Sequence, residues 1–202
     1  MTENLTLRAV ARRVVAASAI AVFATLVLGT TAAAAAASGA PTTIGPITNP
    51  AEKTIAALVG DHPEQALTAL PSDFPAVMGY RPGVEDGRPV NTTGDCSSPV
   101  PMPDRFEPLC RSHDFGYDLL RYGDRTGRPA APWARLALDE MLVDAMHRSC
   151  SNPVCDAAAS LAGVGLDANS WRQHWSAPVP ESAGDMAASA ALRVTESLAG
   201  RR

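Results

Sequence analysis

Lysine is almost missing from this 202-residue chain. Sixteen of its seventeen basic residues are arginine, Lys53 is the exception, and they are scattered rather than gathered into a patch. With 21 acidic residues the balance is mildly negative, at −4. A nucleic-acid surface needs a concentrated basic face, so no nucleic-acid partner is expected. The four cysteines include no C-x-x-C pair, which argues against a structural zinc site. There is no G-x-S-x-G, so nothing suggests a serine nucleophile on an elbow. Internal repeats are absent, and no stretch alternates in the manner of a β-strand. Hydrophobic residues make up 46% of the chain, but many are alanine, which buries little area per side chain.

What is present begins with a distinct leader. Arg8, Arg12 and Arg13 precede the apolar run "VVAASAIAVFATLVLG", and the small residues "TTAAAAAASGAP" follow it. This order of basic, apolar and small-residue regions reads as a secretory signal peptide over residues 1–37. A retained N-terminal membrane anchor is the alternative, because the apolar run plus the alanines approaches the ~20 residues a span needs. Cleavage near Ala37 removes three arginines and Glu3 and leaves a more acidic, secreted chain. Cys96, Cys110, Cys150 and Cys155 all lie in the exported part. An even count in an oxidising compartment reads as two disulfides with three alternative pairings. The simplest pairing joins neighbours, Cys96 with Cys110 and Cys150 with Cys155, the second closing the short loop "CSNPVC".

Residues 38–48 read as a linker, 49–176 as a domain and 177–202 as an alanine-rich tail, either loosely helical or disordered. Asn49, Pro50 and Glu52 are a helix-start signature for "NPAEKTIAALVG", which Gly60 ends. Asp61 and Glu64 repeat it before Pro71. The proline- and glycine-dense stretch 71–109 predicts no long element. Two stronger helices are expected over residues 108–122 and 132–150. The first has an apolar side from Leu109, Phe115, Leu119 and Leu120, with Gly123 as its stop. Trp133, Leu136, Leu138, Met141, Leu142 and Val143 supply the second. The connector "GDRTGRPAA" lets the two pack antiparallel. A later helical stretch is expected to break at Gly163 and Gly165.

On the first helix Cys110, Asp114 and Tyr117 share a face, and His113 is one turn before Tyr117. Asp139 stands among apolar residues in "ARLALDEMLVDAM", where a carboxylate is costly without a partner. If the helices are antiparallel, His113 supplies that partner, and the aspartate fixes the imidazole tautomer for proton abstraction. Asp114 is then free for another task, such as holding a hard cation. Tyr117 suits either a hydrogen bond near the site or simple interface packing. His62, His147 and His174 read as surface or packing residues, Glu140 and Asp144 as solvated positions. Trp133, Trp171 and Trp175 suit either packing or a lipid interface.

The stretch "CRSHDFGYDLLRYG" resembles the active-site helix of the secreted prokaryotic and fungal phospholipase A2 family. Asp139 stands eleven residues before Cys150, as in that family's second helix. Cys96 and the loop closed by Cys150 and Cys155 match its other cysteines, so the resemblance covers about residues 94–155. It implies an all-α fold in which two antiparallel, disulfide-linked active-site helices carry additional short helices and long loops. It also implies a calcium-dependent lipid hydrolase, a monomer acting on phospholipid at a membrane or micelle surface. His113 would be the general base on a water attacking the sn-2 ester, oriented by Asp139 with Tyr117 in support. Calcium would be held by Asp114, by Asp95 and by the Cys96 backbone carbonyl. One departure stands out: the family's other calcium aspartate lies two residues before the first cysteine, where this chain has Gly94, with the aspartate displaced to Asp95. A binding module that kept the fold but lost catalysis is therefore the alternative expectation.

Overall fold

The computed structural model describes residues 42–98 and 101–200. The leader expected over residues 1–37 and the first part of the linker lie outside the described residues. The fold is mainly helical. It runs through α1 (Pro50–Val59), α2 (Gln65–Ala69), α3 (Phe74–Met78), a small hairpin of β1 (Gly83–Glu85) and β2 (Arg88–Val90), α4 (Glu107–Arg125), α5 (Pro132–Ser149), α6 (Pro153–Arg172) and α7 (Ala183–Leu198). Among the described residues no helix is long and apolar enough to cross a membrane.

Local signals explain most of the boundaries. The Asn49 side chain accepts from the Glu52 amide, and Pro50 opens α1. The buried Glu52 carboxylate accepts from the Thr48 backbone N–H at 2.6 Å and hydroxyl at 2.9 Å. Its other oxygen accepts from the Ala131 N–H at 2.9 Å, tying α1 to the start of α5. Asn152 caps α6 by accepting from the Cys155 amide, and Ser182 with Asp185 forms a reciprocal capping box on α7. The second signature does not start a helix at Asp61: α2 begins only at Gln65, with no side-chain cap.

α4 and α5 are antiparallel. Arg105, just before α4, donates to the Ser149 carbonyl at 2.9 Å, His113 meets Asp139, and an added Cβ at Gly123 would lie 2.8 Å from the Arg128 carbonyl. Gly123 is therefore not a stop. The helix continues to Arg125, and the missing side chain lets the connector backbone pass close by. Gly116 has a parallel role, since a Cβ there would lie 2.3 Å from Leu138 Cδ2. α6 returns antiparallel to α5, with contacts running from Cys150–Cys155 through Val143–Gly163 to Asp139–Ser170. It is continuous through Gly163 and Gly165, because packing against α5 outweighs the roughly 1 kcal/mol of helix propensity each glycine forfeits.

Two apolar clusters flank the helix pair. One gathers Ile55, Leu58, Phe74, Phe115, Leu119 and Leu138 under α1 and α3. The other gathers Phe106, Cys110, Leu142, Met146, Cys155 and Ala159. Each fully buried Leu or Phe contributes about 1.5–3 kcal/mol. Leu136, expected among the apolar residues of α5, is exposed instead.

The hairpin is a second departure from expectation. Asp86 and Gly87, both at positive φ (49° and 76°), make the two-residue turn that pairs β1 with β2. The disulfides join Cys96 to Cys110 and Cys150 to Cys155. Neither joins the two long helices to each other: the first ties the loop after β2 to α4, the second ties the end of α5 to α6.

Candidate active site

The structure brings His113 and Asp139 together across the α4–α5 interface, at 2.9 Å between Nε2 and Oδ1. Each is only 5% exposed. A carboxylate oxygen can only accept, so Nε2 carries the proton and the Nδ1 lone pair is left to take one. The Tyr117 hydroxyl donates to the same Asp139 oxygen at 2.6 Å, and its ring packs on the imidazole with centroids 4.0 Å apart. Burial, reinforced by Asp139, pushes the Tyr117 phenol far up, so it stays protonated as a donor. Tyr117 thus both packs and hydrogen-bonds, uniting its two expected roles.

Two further residues, not singled out in the sequence, complete this cluster. The fully buried Ser170 on α6 donates to Asp139 Oδ2 at 2.5 Å. Arg135, one turn before Asp139 and fully buried, lies with Cζ 5.1 Å from the Tyr117 ring centroid. It donates to Gln173 Oε1 at 2.9 Å and to the Ser176 carbonyl at 2.6 Å. A buried carboxylate is costly unless its oxygens are satisfied, and here three donors converge on it. A serine between Asn169 and Trp171, in a helix with other polar residues, gives no sequence signal of this role. Arg135 gave a weak one, as an arginine in an otherwise apolar turn.

Asp114 points the other way, toward the loop after β2. Burial pushes its carboxyl above the usual range, against the pull of His113 and of the Asp95 amide. That amide donates to Asp114 Oδ2 at 3.0 Å. The Asp95 carboxylate turns onto the Ser97 hydroxyl at 3.0 Å, the Cys96 carbonyl accepts from the Ser98 amide at 2.7 Å, and the Gly94 carbonyl accepts from Arg111 Nε at 3.3 Å. Arg111 is itself held by Glu85 on the hairpin, at 3.0 Å. A Cβ at residue 94 would lie 2.3 Å from Asp114 Oδ2, so any larger residue would have to push the Asp114 carboxylate aside. Among the described residues no group of three or more His, Cys, Asp or Glu converges as a metal site. Asp114 Oδ2, Asp95 Oδ1 and the Cys96 carbonyl, all expected to face calcium, each accept from an N–H or O–H donor here.

Asp118, one turn beyond Asp114, is fully engaged by the Tyr80 hydroxyl, Asn91 Nδ2 and Arg121 Nη1 at 2.8–2.9 Å and serves to anchor the loop. His62, His147 and His174 pair with Glu64, Asp156 and Glu196 at exposed positions. Asp144 meets Arg148 at the surface, whereas Glu140 accepts from the Thr42 amide. Trp171 and Trp175 flank Arg193, and Trp133 packs against Gly45, so all three take part in packing. Two cavities stand apart from the dyad. One of about 300 Å³ is lined by Arg172, His174 and Glu196 among others, and one of about 350 Å³ lies by Lys53 and Gln65. Comparison with family models, curated proteins and solved structures finds no match to this chain.

Proposed function

We propose that this protein is a secreted hydrolase of the phospholipase A2 type, in which His113 activates a water against the sn-2 ester of a glycerophospholipid. The observation that carries this reading is the His113–Asp139 pair, with Nε2–H committed to a carboxylate and Nδ1 left with its lone pair. Nδ1 takes a proton from water as the oxygen bonds to the ester carbonyl. The imidazolium is stabilised by Asp139 through Nε2–H. As the tetrahedral intermediate collapses, the proton on Nδ1 passes to the departing lysophospholipid oxygen, leaving fatty acid and neutral imidazole. Two disulfides suit a protein exported to an oxidising compartment.

The resemblance to phospholipases A2 also brings calcium, with Asp114, Asp95 and the Cys96 carbonyl as its ligands. Because Asp114 Oδ2, Asp95 Oδ1 and the Cys96 carbonyl are turned to N–H and O–H donors, no step is routed through the metal, and its requirement is measured separately. The second reading, a non-catalytic lipid-binding module acting as a monomer at a membrane surface, is favoured by Gly94 and by the closing of its loop onto Asp114. Phospholipid vesicles labelled in the sn-2 chain test both, with calcium and with a chelator. Labelled fatty acid released in calcium alone supports the hydrolase and its metal, and release in both conditions supports a metal-independent hydrolase. No release in either, with co-sedimentation on the vesicles, leaves the binding module.

A further inference from the structure

Asp139 sits on α5 and His113 on α4, yet the carboxylate between them is not oriented by those two helices alone. Its Oδ1 receives both His113 Nε2–H and the Tyr117 hydroxyl, each from α4. Rotation about the Asp Cβ–Cγ bond is soft and broad, so partners on one oxygen leave the plane of the carboxylate poorly defined. The other oxygen is met from the opposite side, by Ser170 on α6 at 2.5 Å. Ser170 is wholly buried, and among the described residues no second donor meets Oδ2.

We propose that Ser170 is a positioning residue of the site: by hydrogen-bonding Asp139 Oδ2 it fixes the plane in which Oδ1 meets His113. α6 is held for this task at both ends. Cys150–Cys155 ties its first turn to the end of α5. Past its last turn, Gln173 and Ser176 accept from Arg135, one helical turn from Asp139. The third helix is thereby part of the catalytic framework, although the His–Asp motif lies wholly on the other two. Removing the hydroxyl leaves Oδ2 buried and unsatisfied, and the carboxylate turns to recover a donor at the expense of the His113 contact.

The kinetic consequence rests on the hydrolase reading, whereas the hydrogen bond does not, and the test separates them. Ser170→Ala and Ser170→Thr are compared with the native protein by turnover on sn-2-labelled vesicles and by the imidazole N–H and ring-nitrogen resonances of His113. In Ser170→Ala, kcat falls about tenfold, the change expected for one lost hydrogen bond to a charged group, while KM stays unchanged. The His113 N–H resonance moves upfield and exchanges faster with solvent. Ser170→Thr keeps the hydroxyl and restores both readouts. Unchanged His113 resonances in Ser170→Ala overturn the proposal. A fall in kcat that merely tracks a loss of folded protein overturns it too, because that is a structural role. If the native protein releases no fatty acid, the hydrolase reading fails, and the His113 resonances alone decide the role of Ser170.

Discussion

Replacing Asp139 by asparagine removes the charge that faces His113 and keeps the shape. The carboxylate accepts three donors: His113 Nε2–H at 2.9 Å, Tyr117 at 2.6 Å and Ser170 at 2.5 Å. An asparagine whose oxygen stays at the Oδ1 position still accepts from His113 and Tyr117. Its NH2 group then faces Ser170, whose hydroxyl rotates from donor to acceptor. The ground state therefore loses little, about 1–2 kcal/mol, or roughly 2–8 °C in Tm. The transition state loses more, because the imidazolium forming in a nearly dry site no longer meets an anion. That contact is worth roughly 3–4 kcal/mol, which lowers kcat by about 10²–10³-fold. The assay is turnover on sn-2-labelled phospholipid beside thermal unfolding of the same preparation. Asp139→Ala acts as the contrasting control: it strands all three donors and lowers stability by about 3–5 kcal/mol. An asparagine variant that keeps kcat within about fivefold of native, about 1 kcal/mol in barrier, refutes the claim that Asp139 serves the chemistry.

Other expectations follow from the packing. Gly116→Ala places a Cβ 2.3 Å from Leu138 Cδ2, and Leu138 is fully buried, so the core around it must shift to make room. It should destabilise the α4–α5 pair by about 1–3 kcal/mol in urea titration, and a neutral result would mean the helices are further apart. Exchanging Cys96 and Cys110 for serine should lower stability by about 3 kcal/mol, the chain-entropy value for a loop of about 15 residues, read by thermal unfolding. Glu181 is held at about 2, below its ordinary 4.5, chiefly by the hydrogen bond from Arg172. A lowered acid stabilises the fold above its unfolded value and loses that contribution as the pH falls from 4.5 to about 2. Glu181→Gln should therefore differ from native in Tm above pH 4.5 and converge with it near pH 2, and a constant offset would contradict the pairing.

Helices α4 and α5 were legible because their signals are local, with apolar residues recurring one turn apart. The His113–Asp139 contact was legible as well, since an aspartate in an apolar stretch demands a partner and the short connector forces the two helices side by side. Glycine misled wherever tertiary packing outweighed propensity. Gly123 reads as a helix stop but serves a close backbone approach, and Gly163 and Gly165 read as breakers but sit inside a helix braced on α5. The hairpin was missed: Asp86–Gly87 carries specific turn chemistry, but its three-residue strands are too short to alternate visibly. Ser170 was out of reach. A hydroxyl 31 residues from the carboxylate it serves leaves no trace in spacing or composition.

The central claim is that His113 carries the proton in ester hydrolysis. Its most direct test is fatty-acid release from sn-2-labelled phospholipid by the native protein and by His113→Gln, which retains an N–H for Asp139. The account predicts release by the native protein and a fall of about 10²–10⁴-fold in the variant, with Tm and far-UV dichroism preserved. Equal release by the two proteins would contradict it.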